Sequence, residues 1–298
     1  MSHFTVAVVT KDKNKIEEIL APYNENLEVP KYVRYTKEEL INKGKKEIEE
    51  YKNGTYAEYL KNPIKYKEDC SNEQHIKYLE EKFPKKINWT DEEIYAEQIG
   101  WYDEEEIGEN GEVYSTYNPN SRWDWYSIGG RWLNTLLVKE DVESINGEIS
   151  LGADHLINKV APSGYKWTDG AKIKDIDFNK MKEISKEYDK AIRFWELKVE
   201  EKEPINDKDK ELLKWDLFTK EYYIKRYNTK EHYATIQSTF HTYAMADEKG
   251  WYEKGKMGMF AVDDATKESE EIYIEKFKEV IEDPNNQDKY LIIVDCHI

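Results

Sequence analysis

Between Ser121 and Trp132 the chain reads Ser-Arg-Trp-Asp-Trp-Tyr-Ser-Ile-Gly-Gly-Arg-Trp, a concentration of side chains suited to recognition. Arg122 and Arg131 carry planar guanidinium forks that pair with a carboxylate or a phosphate and stack on rings. Trp123, Trp125, Tyr126 and Trp132 combine a large apolar body with a polar edge. A second aromatic–glycine segment, Trp251–Gly255, adds Trp251 and Tyr252. These eight residues are the candidate binding set. Two readings of them stand side by side. In one, the rings anchor a core and the arginines satisfy buried carbonyls. In the other, they form a recognition surface for a ligand or a partner.

The chain ends hold a second constellation. If the first and last strands are antiparallel neighbours, His3 lies near Asp295, Cys296 and His297. Two imidazoles, a thiol and a carboxylate suit a transition metal such as zinc. The spacing is no recognised ligand signature, so a polar fringe at a strand end is the competing reading, and neither a metal nor another cofactor is expected. His241 sits between Phe240 and Thr242 in strand-like sequence, His75 on a helix, and His155 and His232 at loops or element edges. No Gly-x-Ser-x-Gly, phosphate-binding loop or His-Glu-x-x-His occurs, so no catalytic residues are assigned.

The elements that must position these residues follow from periodicity and punctuation. Phe4–Thr10 and Tyr290–Val294 are apolar, β-branched runs and read as buried strands. Asp12–Leu20 reads as a helix stopped at Ala21-Pro22. Thr36-Lys37-Glu38-Glu39 and Thr90-Asp91-Glu92-Glu93 are capping boxes that open helices, the first running to Tyr51 and the second to Gly100. After the central segment a strand is expected through Leu133–Val138, an Asn146-Gly147 turn follows, and Asp154–Tyr165 reads as loop. From Phe178 to Tyr227 apolar residues recur at spacings of three and four, broken at Glu203-Pro204, which predicts two long helices in a hairpin. Tyr233–Ala246 and Met257–Val262 have strand composition, and Lys267–Ile281 reads as an amphipathic helix. The expected fold is α+β: a mixed or antiparallel sheet built from both chain termini, helices on one face, and an inserted long helical hairpin. Residues 1–177 and 231–298 would form one body, with 178–230 as an inserted arm that either packs on the body or projects from it.

The 298 residues include 62 acidic and 45 basic side chains, a net charge of −17. A field of that sign repels nucleic acid and anionic membrane and favours basic partners. Cys70 and Cys296 form no metal or disulfide pattern, which suits a reducing cytoplasm. No signal peptide and no apolar run of membrane-spanning length is read.

Met1-Ser2-His3-Phe4-Thr5-Val6, Leu20–Leu27, Trp123–Trp132, Trp251–Gly258 and the terminal Val294-Asp295-Cys296-His297-Ile298 together resemble a widespread family of bacteriophage and prophage proteins. The motifs run from the first residue to the last and leave Phe178–Tyr227 as the variable part. In size and phage setting the chain is similar to anti-defence inhibitors, those of the Gabija system in particular. That resemblance implies a homo-oligomeric, non-enzymatic protein in the host cytoplasm. It would bind a host nuclease–helicase defence complex and block its access to DNA, with no direct nucleic-acid or membrane contact of its own. Two alternatives stand beside it. One is an enzyme acting on a nucleotide or phosphorylated signal, with Arg122 and Arg131 holding the anion and a histidine such as His241 moving protons. The other is a phage accessory or structural protein.

Overall fold

Phe4–Thr10 and Tyr290–Val294 are uninterrupted apolar runs because the strands they build are covered on both faces. In the computed structural model, which describes residues 2–150, 159–214, 216–258 and 263–298, these two runs pair at the centre of one sheet. Among the described residues the strands are β1 (His3–Thr10), β2 (Tyr32–Tyr35), β3 (Val113–Ser115), β4 (Trp125–Gly130), β5 (Leu136–Lys139), β6 (Glu148–Ile149), β7 (Tyr165–Thr168), β8 (Gly170–Lys172), β9 (Ala244–Asp247), β10 (Gly250–Glu253) and β11 (Tyr290–His297). The chain divides into two compact units, unit 1 being Met1–Leu27 with Asn118–Ile298 and unit 2 being Glu28–Tyr117.

In unit 1 the main sheet runs β10-β9-β1-β11-β4-β6, with β8 also on β11. β1 is antiparallel to β11 and parallel to β9, so the sheet is mixed and both chain ends form its middle. One edge of β11 is shared. Its first half pairs with β8 at Tyr290–Ile292 and its second half with β4 at Val294–His297. On one face Phe4, Val6, Val8, Ile292 and Val294 pack with Ile16, Ile19, Leu20 and Trp123. On the other, Ala7, Val9, Leu291 and Ile293 pack with Leu136, Phe194, Tyr233 and Phe277. Each such aliphatic side chain contributes roughly 1.5–3 kcal/mol on burial. The longer helices lie on that second face, as expected. The first is covered by the short helix Ile16–Leu20 and by the chain around Trp123.

The helical segment differs in detail from its expectation. Helices span Phe178–Ser185, Glu187–Lys198, Asp207–Leu213 and Lys220–Tyr227. The first break is Lys186, held in the left-handed region at φ 52°. Met181, Phe194, Trp195, Tyr223 and Tyr227 are all buried in the larger core, so the segment packs on the body and belongs to unit 1. The separate unit is instead 28–117. Tyr233–Ala246 is a strand only from Ala244. Lys230–Ser238 is a helix, capped by Thr229, whose side chain accepts from the His232 amide. Parts of two further expectations, 154–158 and 259–262, lie outside the described residues, as does His155.

Unit 2 contains the β2–β3 pair and the helices Lys37–Tyr51 and Asp91–Ile99. Both capping boxes are present: the Glu39 and Glu93 carboxylates each accept the amide of their N-cap threonine at 2.8 Å. Ile48, Phe83 and Ile94 form its small core.

Candidate functional site

Strand register brings the chain-end histidines together. Ser2 and Ile298 exchange both backbone hydrogen bonds at 3.0 Å. The next pair inward, His3 opposite His297, is therefore a non-hydrogen-bonded pair, where side chains approach most closely. Trp125 of β4 is His297's partner on the other side. The three rings form a cluster. The His3 ring stands edge-on to His297 at 4.9 Å and to Trp125 at 5.3 Å, while Trp125 stacks on His297 at 5.2 Å.

Each imidazole is held through Nδ1 by a carboxylate. His3 Nδ1 lies 2.9 Å from Asp295 Oδ1, and His297 Nδ1 lies 2.7 Å from Asp124 Oδ1. An ionised carboxylate only accepts, so both Nδ1 atoms carry protons and each neutral ring presents a lone pair at Nε2. Neither Nε2 has a partner among the described residues, and both rings are largely enclosed, the His3 side chain being 10% and the His297 side chain 7% exposed. Alternation along β11 puts Cys296 on the opposite face, fully buried, where burial pushes its thiol up. The chain-end cluster expected from the sequence thus forms without its cysteine. Among the described residues no group of three or more His, Cys, Asp or Glu is placed to hold a metal ion.

The Gly129-Gly130 pair shapes the neighbouring rim. Both glycines have positive φ, 75° and 56°. They turn the chain away from β11 where its edge passes from β4 to β8, and the Ile293 amide there donates to the Asp169 carbonyl at 2.7 Å. Two fully buried carboxylates lie under the turn. Asp295 Oδ2 accepts the Arg131 amide at 2.9 Å. Asp169 accepts the amides of Asn134 at 2.6 Å and Gly147 at 2.8 Å, while its burial raises its pKa above the usual carboxylate range. A side chain at either glycine would collide with one of these carboxylates.

The eight candidate binding residues fall on both faces of the sheet. Arg122 Nε donates to Glu253 Oε1 and Trp251 Nε1 to Glu253 Oε2, both at 2.8 Å, so these two meet through one carboxylate. Trp123 is a core anchor, with Nε1 donating to the Leu20 carbonyl at 3.1 Å. Tyr126 packs edge-on against Trp123 and donates to Glu17 at 2.6 Å; burial and then that bond raise its pKa. Trp132 and Tyr252 pack against the larger core on the other face. Trp125 remains 42% exposed and Arg131 is exposed. His241 lines a separate cavity, so it does not join the arginines as the enzyme alternative anticipated. Asp124 and Asp169, central to this geometry, were not singled out by sequence. A lone aspartate has no local signature, although Asp124 lies between two tryptophans. No family model, curated protein or solved structure matches the chain.

Proposed function

We propose that the edge formed by His3, His297 and Trp125 is an acid–base site acting on a nucleotide or another phosphorylated substrate. The supporting observation is the pair of imidazoles on adjacent strands, each fixed through Nδ1 by its own carboxylate. Phosphodiester cleavage uses two such groups in one step. A neutral Nε2 takes the proton of the attacking hydroxyl as the new oxygen–phosphorus bond forms. The second ring, protonated, gives its proton to the leaving oxygen as the old bond breaks. The two rings then exchange protonation states through water. Asp124 and Asp295 orient the rings and stabilise whichever is charged. Arg131, next to the Gly130 turn, supplies a cation for the non-bridging oxygens.

Hydrolysis of dinucleotides and nucleoside 2′,3′-cyclic phosphates tests this reading. His3→Gln and His297→Gln should each reduce the rate about 100-fold or more, and the bell-shaped pH profile should lose one limb in each. Wild-type rates at background, or rates unchanged in both variants, would refute it.

The exposure of Trp125 on a rigid base favours a second reading. Clamped aromatic rings of this kind anchor protein interfaces. With a net charge of −17, a basic partner is favoured. Here the chain is an anti-defence inhibitor that holds a host defence complex without turnover, as its phage resemblance implies. Native mass alone and with such complexes, for wild type and Trp125→Ala, separates the two. A stable complex lost in the variant, with no hydrolysis, supports the inhibitor.

A further inference from the structure

A cavity of ≈ 870 Å³ lies beside the helix Phe178–Ser185 and the C-terminal end of Lys267–Glu282. That volume falls within the range of small-ligand sites. Its aromatic wall is Phe178, Phe240 and Phe277, with ring centroids 5.4 Å apart for the first pair and 6.0 Å for the second. The rest of the lining is largely polar, with Asn179, Gln237, Ser238 and Gln287 among it, and His241 stands next to Phe240 of the wall. His241 Nδ1 lies 2.8 Å from the Thr239 carbonyl oxygen. A carbonyl only accepts, so Nδ1 carries the proton. Burial lowers the His241 pKa from 6.5, so the ring is neutral at pH 7 and Nε2 is a lone-pair acceptor. Nε2 has no partner among the described residues, and His241 is part of the cavity lining.

The cations at the rim differ in one respect. Lys174 is paired with Asp288 and Lys278 with Glu282, whereas Lys182 has no carboxylate partner among the described residues. An apolar ring wall, an imidazole acceptor fixed beside it and an ammonium with no carboxylate partner among the described residues match a ligand with three parts. We propose that this cavity binds a nucleoside monophosphate, its base against the phenylalanine wall, a base N–H donating to His241 Nε2, and its phosphate at Lys182. Stacking on aromatic side chains holds any base, while the acceptor selects those that present an N–H to it.

Calorimetric titration of the full chain with AMP, GMP, CMP and UMP tests the proposal, with the parent nucleosides and ribose 5-phosphate alongside. At least one nucleotide should bind below millimolar concentration. His241→Phe should weaken it about tenfold, while His241→Gln, whose amide oxygen accepts, should stay near wild type. Lys182→Met sits at the rim and should abolish the advantage of nucleotide over nucleoside. The proposal is overturned if no nucleotide binds at millimolar concentration. It is equally overturned if ribose 5-phosphate binds as tightly, or if natively folded His241→Phe binds as wild type does.

Discussion

Gly130→Ala is the sharpest test of how the candidate site is held. Gly130 sits at φ 56°, and an added methyl group would meet Asp295 Cβ and Oδ2 at impossible distances, with Ser127 Oγ at 2.7 Å. Asp295 Cβ cannot swing aside, because β11 is paired on both edges. The left-handed backbone costs an L-residue about 1–2 kcal/mol. Forcing a methyl group into filled space adds about 1–3 kcal/mol. Displacing Asp295 loosens its bonds to the Arg131 amide and His3 Nδ1, both 2.9 Å, and leaving buried partners unsatisfied costs about 1–3 kcal/mol more. The sum is on the order of 3–8 kcal/mol against a typical total of about 5–15. Gly164→Ala is the control: φ is 79° there, but nothing lies within 4 Å of the added carbon. It should cost only the backbone portion. Urea unfolding followed by tryptophan fluorescence reads mainly unit 1, which holds seven of the nine tryptophans, all but Trp89 and Trp101. If the two variants lose the same stability to within about 1 kcal/mol, well inside the steric cost assigned above, the carboxylate under the turn is not a packing constraint and the reasoning fails.

Three further outcomes are expected. Asp169→Asn should cost about 2 kcal/mol in chemical denaturation, because one of two backbone amides, Asn134 or Gly147, would face an N–H in place of an acceptor; unchanged stability would show that these contacts are dispensable. His241 has its folded pKa lowered by burial, so its contribution is present above pH 6.5 and is lost as pH falls through the folded value. The wild-type minus His241→Phe stability difference should therefore fall with decreasing pH below 6.5, by at most about 1.4 kcal/mol per unit, and a flat difference would place the ring in solvent. Thr90→Ala removes the cap of Asp91–Ile99; a loss of about 1 kcal/mol should appear as faster amide exchange in that helix, and unaltered exchange would mean the cap is redundant.

The sequence was most readable where one physical cause dominated. β1 and β11 are apolar on both faces, which leaves no alternation to misread, and their pairing at the centre of the sheet follows from that. The two capping boxes are local chemistry and needed no tertiary knowledge. Where causes competed, the reading slipped. Tyr233, Thr235 and Ile236 have strand-favouring side chains, but Tyr233, Ala234 and Ile236 make a buried helical stripe against Trp195 and Phe194, and packing outweighs a propensity worth under about 1 kcal/mol per residue. The spacing from Met181 to Val199 passes straight over Lys186; Ile184 and Tyr188, which flank that break, are exposed. In Lys267–Glu282, Ile272 is likewise exposed, since Tyr273, Ile274 and Phe277 form the inward stripe. Composition suggested an arm at 178–230, yet the separate unit is 28–117. A charged outer face marks where a helix meets water and carries no information about which helices fold together.

The candidate site shows the same division between local and long-range causes. A run of tryptophans, arginines and glycines marks Ser121–Trp132 as unusual, but Trp123 precedes β4 and is buried whereas Trp125, the first residue of that strand, is exposed, a difference that strand alternation does not foretell for residues two apart. What converts the exposed edge into a chemical arrangement comes from elsewhere: His3 from the first strand and His297 with Asp295 from the last, joined to Asp124 by the register of three strands. A one-residue slip of β11 against β1 would exchange Asp295 and His297 for Cys296 and Val294 on that face. The side-chain packing that fixes the register in the sheet's interior, on both of its faces, therefore also fixes which side chains meet at its edge. Weakening the core residue of β11 that immediately precedes Asp295 should loosen the histidine pair before it unfolds the chain. The Val294→Ala variant tests this coupling through the imidazole NMR resonances of His3 and His297, which should broaden well below the unfolding transition. Resonances that stay sharp until global unfolding would show that the edge is held by its own carboxylates alone.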